Sequence, residues 1–377
     1  MNIGQMLTGE EVTIGLPLAC DRCVIPQGYA GATFSHIKDR TICNFCLDHQ
    51  ERKFLGGEQL IHDLNLGSNE QVGVTVSGGK DSLYAWMWLV DHLGPDKVVA
   101  FNHCKVGLVH PVVKDNLMQA TMILDSELIQ FFDTEMLPRF RKNLAALLTK
   151  PDPAMVRVAL CAGCRVGISG KMFELGKSMG ITKFVNAASY LELAPFKAAI
   201  MKAKGDGNEK LGLIRGLKEN LLYNHGDNIQ TIMLDDDHCH ETQLTGEKCF
   251  KLYPKIQYFD FHRYIPNIPS QYEIAVKKRL NWNRPERSWH FDCLVESFKD
   301  MFYYGILGYT ETDYKLSAMV RYHLLSRNKA INQLLNTRRK LVNSKEEIIE
   351  LMNQLGVGHL ASRVENFYQN SPFLSEQ

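Results

Sequence analysis

No stretch of this chain approaches the roughly 18 to 20 consecutive apolar residues that a bilayer-crossing helix requires. The longest apolar runs, such as Ala85 to Val90, have the length of a buried helix face. Met1 to Gly15 contains acids and lacks a basic start followed by an apolar block, so no secretory signal is expected and the cytoplasm is the expected compartment. Neither sign of charge dominates: 43 Lys and Arg stand against 42 Asp and Glu, a net charge of +1. A protein whose main work is gripping phosphate backbones carries a positive surplus, so a large RNA is not expected as the main partner. Internal repeats and low-complexity tracts are missing too, and 45% hydrophobic with 23% charged residues is the composition of an ordinary folded protein. A length of 377 residues implies two or three domains.

Cysteine, in contrast, is plentiful. Six of the ten cysteines fall into three Cys-x-x-Cys pairs. In a reducing compartment such thiols are read first as metal ligands, catalysts or core filler. Cys20-Asp21-Arg22-Cys23 is followed after nineteen residues by Cys43-Asn44-Phe45-Cys46. Two such knuckles at that spacing match a tetrahedral zinc site with four thiolate ligands. Four thiolates leave no open coordination position, so the expected role is structural or a docking surface.

Three zones are expected: a four-cysteine zinc module over 1–60, a nucleotide-binding domain over 61–215, and a mainly helical substrate or partner region over 216–377. In the second zone, strand-like segments (71–76, 97–102, 128–132, 181–186) alternate with helix-like ones (81–92, 111–124, 135–148, 163–179). That alternation predicts an α/β fold, a doubly wound parallel sheet with helices on both faces. Ligands of such sheets bind at the carboxyl ends of the strands.

The segment Ser77-Gly78-Gly79-Lys80-Asp81-Ser82 follows a strand and opens a helix. Glycines let the backbone approach a phosphate, and the exposed N–H groups of a helix start favour an anion. Ser77 and Ser82 add hydroxyls, Lys80 a charge, and Asp81 a carboxylate suited to Mg2+. The spacing is not that of the Gly-x-x-x-x-Gly-Lys-Ser/Thr loop. It resembles the PP-loop of the ATP pyrophosphatase superfamily. The resemblance implies that ATP adenylates a carbonyl-type oxygen, pyrophosphate leaves, and a nucleophile then displaces AMP.

Two branches of that superfamily resemble different parts of the chain. The N-acetyl sugar amidotransferases are similar at both ends: Cys20-Asp-Arg-Cys-Val-Ile-Pro with Cys43-Asn-Phe-Cys46, and the stretch from Gly308 through Asp313 to Arg327. The sulfur-inserting enzymes, including tRNA-thiolating ones, are similar in the middle, where Cys161-Ala-Gly-Cys164 precedes a helix and the strand from Ile181. Where those enzymes continue with Gly-His-x-x-Asp-Asp, this chain has Asn186-Ala-Ala-Ser-Tyr-Leu-Glu192. Cys161 and Cys164 at a helix start would have lowered thiol pKa values. They are candidates for a catalytic thiol pair or, with Cys239, Cys104 or Cys293, for an iron–sulfur cluster. Cys239 lies in Asp235-Asp-Asp-His-Cys-His240, which also reads as a solvated acidic loop. Cys104 closes a strand, with His103 and Lys105 beside it to favour a thiolate. Trp282 to Cys293 offers aromatics and arginines for substrate contact, while Arg338, Arg339 and Lys340 read as a solvated helix face.

The expected activity is adenylation of a small-molecule acceptor, such as a nucleobase or other heterocycle, followed by exchange of oxygen for sulfur from a donor protein or a cysteine-derived persulfide. The alternatives are an amidotransferase that takes ammonia from a partner glutaminase, and a non-catalytic nucleotide-binding scaffold. A homodimer is the oligomer considered.

Overall fold

A computed structural model of the chain describes residues 17–105, 107–192, 194–200, 255–284 and 293–375, without the side chains of 158 and 162–170. The chain first makes a hairpin of β1 (Phe34–Ile37) and β2 (Arg40–Cys43), paired antiparallel. Its two-residue turn places Lys38 and Asp39 at φ 45° and 64°, the positive values that let a tight turn follow the strand twist. A single turn, α1 (Asn44–Leu47), carries the fourth cysteine.

The central sheet follows. In chain order come α2 (Gly57–Leu64), β3 (Val72–Thr75), α3 (Lys80–Leu93), β4 (Val98–Cys104), α4 (Pro111–Leu124), β5 (Glu127–Phe132), α5 (Met136–Thr149), α6 (Pro153–Ser178), β6 (Lys183–Asn186), α7 (Phe196–Ile200) and β7 (Gln257–Asp260). The five strands are all parallel, in the order β5-β4-β3-β6-β7. The fold is therefore the expected α/β parallel sheet. Alternation along β4 shows why it is covered twice. Val98 and Ala100 join a core with Leu60, Trp86, Leu117 and Val276, whereas Val99 and Phe101 join Met172, Phe173 and Phe184 on the other face.

The remaining helices are α8 (Phe261–Tyr264), α9 (Pro269–Leu280), α10 (Val295–Leu307), α11 (Glu311–Arg321), α12 (Arg327–Val342), α13 (Lys345–Gln354) and α14 (Ala361–Asn370), so the carboxyl-terminal region is helical. They do not stand apart from the amino-terminal hairpin. Cys20, Cys43, Ile25 and Tyr29 share one core with Phe196, Phe302, Tyr309, Met352 and Tyr368. Tyr29 packs on Tyr309 at 4.6 Å between centroids and edge-on against Phe196 at 5.5 Å. Aromatic burial from α7 and α10 thus supplies what the polar amino-terminal segment lacks. Among the described residues, no helix is long and apolar enough to cross a membrane.

Two sequence expectations need correction here. The helix expected over 163–179 begins ten residues earlier: Asp152 caps it by accepting from Ala154 N at 2.9 Å, and Pro153 takes its first position. Cys161 therefore lies in its third turn, beyond the reach of the terminal dipole. Arg338 is not on a solvated face. It is 3% exposed and pairs with Asp313 at 2.7 Å, and Asp313 also closes a capping box with Thr310 at the start of α11.

Candidate functional site

The parallel order turns between β3 and β6, which places a crevice at the carboxyl ends of these two strands. Thr75 Oγ1 spans it, donating to Asn186 Oδ1 at 3.3 Å. The segment Ser77–Ser82 lies at this point. Gly78 has φ +80°, and a Cβ there would meet Val113 Cγ1 at 2.7 Å and Val113 O at 3.1 Å. No other residue fits between the loop and α4 without displacing one of them. Ser82 Oγ accepts from Ser77 N at 3.1 Å and donates to Gly79 O at 3.0 Å, drawing the loop round the helix start. Gly79 is the N-cap of α3 and carries no side chain to cap it. The amides of the first turn are left for an anion or water.

Two further groups fix the loop from behind. Asn102 Nδ2 donates to Val76 O at 2.8 Å and Trp282 Nε1 donates to Gly78 O at 3.1 Å. Trp282, one of the residues offered for substrate contact, is 3% exposed and supports the backbone instead. Lys80 Nζ pairs with Asp81 Oδ2 at 2.8 Å, while Asp81 Oδ1 is buried with no hydrogen-bond partner among the described residues. A half-used carboxylate beside uncapped helix-start amides suits a hard divalent cation, so Asp81 fits Mg2+.

The second group is the set of four buried thiols. Cys20 Sγ stands 3.9 Å from Cys46 Sγ, Cys23 Sγ stands 3.7 Å from Cys43 Sγ, and all four lie within 4.8 Å of one another. In a regular tetrahedron a metal–sulfur bond of about 2.3 Å gives sulfur–sulfur edges of about 3.8 Å, so the spacing suits zinc. Hydrogen bonds from Cys23, Cys43 and Cys46 hold the Cys20 thiol far below its ordinary range. The surrounding backbone is held by arginines: Arg22 donates to Cys46 O, and Arg327 donates to both Cys20 O and Cys23 O, each at 3.1 Å.

Among the described residues, the remaining cysteines join no metal-sized group. Cys104 is half-buried at the end of β4, and burial pushes its thiol up, not down. His103 gives it no charge. Burial, aided by Lys105, holds that imidazole down at about 4, and its ring packs on Phe131 at 5.4 Å. Burial likewise raises Cys161, which sits in the fields of Lys299, Glu296, Glu311 and Lys197. The side chain of Cys164 and the whole of Cys239 lie outside the described residues. Cys104 should therefore be alkylated by iodoacetamide at pH 7 more slowly than a free cysteine. A faster reaction, read by peptide mass spectrometry, would show the thiolate that the burial denies.

Sequence reading passed over a cluster of ionic groups beside Cys161. Glu311 pairs with both Lys197 and Lys299, the latter at 2.8 Å, and Lys299 also pairs with Glu296. Burial opposes the charge on Glu311, but Lys299 and Lys197 overcome it and hold the carboxyl well below its usual range. Burial takes Lys197 down to about 8. These residues come from α7, α10 and α11 and are distant in sequence, so spacing could not reveal them.

No family model and no curated protein matches the chain. Among solved structures it is similar to the U34-tRNA thiolase NcsA from Methanococcus maripaludis, solved with its [4Fe-4S] cluster, at 13% identity and a TM-score of 0.35 over 85% of this chain and 89% of that one. At that score the superposition is too loose to bear on function.

Proposed function

We propose that the chain is an ATP-dependent adenylating transferase whose nucleotide site is the Ser77–Ser82 loop. One observation carries this reading. A strand–turn–helix segment with uncapped first-turn amides, a half-used buried carboxylate on Asp81 and an adjacent ammonium on Lys80 lies at the switch point of a parallel sheet. The acceptor's carbonyl-type oxygen attacks the α-phosphorus of ATP, and pyrophosphate leaves. A sulfur nucleophile then adds to the activated carbon, and AMP departs with the original oxygen. Within the chain, the loop amides and Lys80 receive the departing pyrophosphate, and Asn102 and Trp282 hold the loop in place. Mg2+, held by Asp81, would offset phosphate charge when bound. Zinc, held by Cys20, Cys23, Cys43 and Cys46, would be structural.

The sulfur reading rests on Cys161 and Cys164, a Cys-x-x-Cys pair within α6. Its sulfur would come from a donor protein or a persulfide, and its acceptor would be a nucleobase or similar heterocycle. A nitrogen reading is favoured by a separate observation. The two stretches that resemble sugar amidotransferases meet in space, with Arg327 bonded to the backbone of Cys20 and Cys23. That reading takes an N-acetyl sugar nucleotide as acceptor and ammonia from a glutaminase subunit. Incubation with Mg-ATP, one acceptor of each class and either sulfide or ammonium tests both. AMP and pyrophosphate in equal amounts, with sulfur or nitrogen replacing oxygen in the product mass, is the expected outcome. Release of ADP and phosphate, or tight binding without turnover across all acceptors, would overturn it.

A further inference from the structure

Helix α11 packs against both the four-thiol module and the turn that follows β6, and its two contacts carry different chemistry. One is with the metal module. Ser317 Oγ accepts from Val24 N at 3.3 Å, the Tyr314 ring packs edge-on against Phe45 at 5.4 Å, and the Arg321 guanidinium lies over both rings. The other is with the turn Tyr190–Glu192, which follows β6 at the switch point. There the Tyr322 ring, just past the helix end, packs on Tyr190 at 5.2 Å, and Lys315 Nζ pairs with Glu192 Oε1 at 2.7 Å.

Lys315 also lies in the fields of Asp81 and Glu296. Its ammonium is bonded to Glu192, whose turn follows β6, the strand paired beside the one that leads into the phosphate loop. Burial opposes its charge, and the three acids together outweigh burial and favour the protonated form. The pair with Glu192 is partly open to solvent, at 32% and 48% side-chain exposure, and such pairs contribute little and exchange readily. A polyphosphate in the loop would bring several negative charges to the same place, in a partly desolvated crevice where each charge counts for more.

We propose that Lys315 is a second phosphate-binding cation of the nucleotide site: when ATP enters, its ammonium leaves Glu192 and pairs with the nucleotide's phosphates. The inference rests on the ATP reading of the loop and deepens it. The site is then completed by a residue more than two hundred positions from the loop. It is carried on a helix that the metal module also braces, through Tyr314, Ser317 and Arg321, so the module positions the cation.

The test uses the full chain loaded with zinc, and binding measured by calorimetry for Mg-ATP and for adenosine. Lys315→Met should weaken Mg-ATP binding by about tenfold or more, leave adenosine within about twofold, and flatten the salt dependence of ATP affinity. Lys315→Arg should restore ATP binding to within about threefold of the parent. Glu192→Gln, which removes the competing carboxylate, should tighten Mg-ATP binding by about threefold and serves if Lys315→Met does not fold. Equal weakening of ATP and adenosine, unchanged ATP affinity in Lys315→Met, or weaker ATP binding in Glu192→Gln would overturn the proposal. A parent protein that binds no ATP overturns the nucleotide reading as well. A parent that binds ATP and variants that do not move overturn this inference alone.

Discussion

Asp81→Asn is expected to lower pyrophosphate release about a thousandfold while the melting temperature stays within a few degrees. The asymmetry follows from what the carboxylate does in the fold. It sits at the second position of α3, where a negative charge stabilises the helix by only about 0.3–1 kcal/mol. Its Oδ2 pairs with the neighbouring Lys80, and its Oδ1 engages nothing among the described residues, so the native state loses little when the charge goes. In the reaction the same charge would hold the cation that offsets phosphate. Preorganised electrostatic groups of this kind contribute about 10²–10³ each, and here Lys80 would also lose the partner that aims it. A pyrophosphate-coupled assay beside a thermal melt decides the matter. Turnover within tenfold of the parent would remove Asp81 from the machinery, and a melt lowered by tens of degrees would make the residue structural.

The parts of the molecule that sequence revealed are those whose chemistry is local. The loop is legible because two glycines, two serines, a lysine and an aspartate must be contiguous to wrap one phosphate. The four thiols are legible because each knuckle is itself a turn. The strands 72–75, 98–104 and 183–186 are legible because buried parallel strands need short apolar runs between helices, and the edge strand 127–132 keeps a short apolar run of its own. The fifth strand, Gln257–Asp260, is not. It has four residues and, among the described residues, lies at the sheet edge and pairs with β6 alone, so its sequence carries little burial signal. The start of α6 is marked by Asp152-Pro153, a cap followed by the residue best tolerated in a first turn, a local signal that the expected start at residue 163 leaves unused. Lys315, Glu192 and the Lys197–Glu311–Lys299 group were out of reach for a different reason. Each is an unremarkable surface-type residue until tertiary packing brings it to its partner. A charge that is buried by contacts between α7, α10 and α11 leaves no mark in spacing or composition.

Removing the metal from the four-thiol group should cost the whole protein stability, not the amino-terminal segment alone. Linkage sets the size of the effect. A metal held with free ion a thousandfold above its dissociation constant adds about 4 kcal/mol to the folded state. That sum is a large part of the roughly 5–15 kcal/mol available to an ordinary domain. It reaches beyond the hairpin because Cys20, Cys23, Cys43 and Cys46 are buried in the same core as Phe140, Phe302, Met352 and Tyr368. Arg327, at the start of α12, holds the carbonyls of Cys20 and Cys23, and Tyr309 OH accepts from Ala30 N at 3.0 Å. Cys43→Ser, or chelation of the parent protein, is therefore expected to lower the melting temperature of a transition that includes α10 to α14, and to expose Tyr303 and Tyr309 to solvent. Protons compete with the metal for the same sulfurs, so metal release should increase as pH falls and reverse on return to neutral pH. Elemental analysis should give one zinc per chain in the parent and none in Cys43→Ser. If the metal-free protein melts at the parent's temperature, or if only the first fifty residues become protease-sensitive while the carboxyl-terminal helices keep their amide-exchange protection, the shared core is not what couples the two ends of the chain.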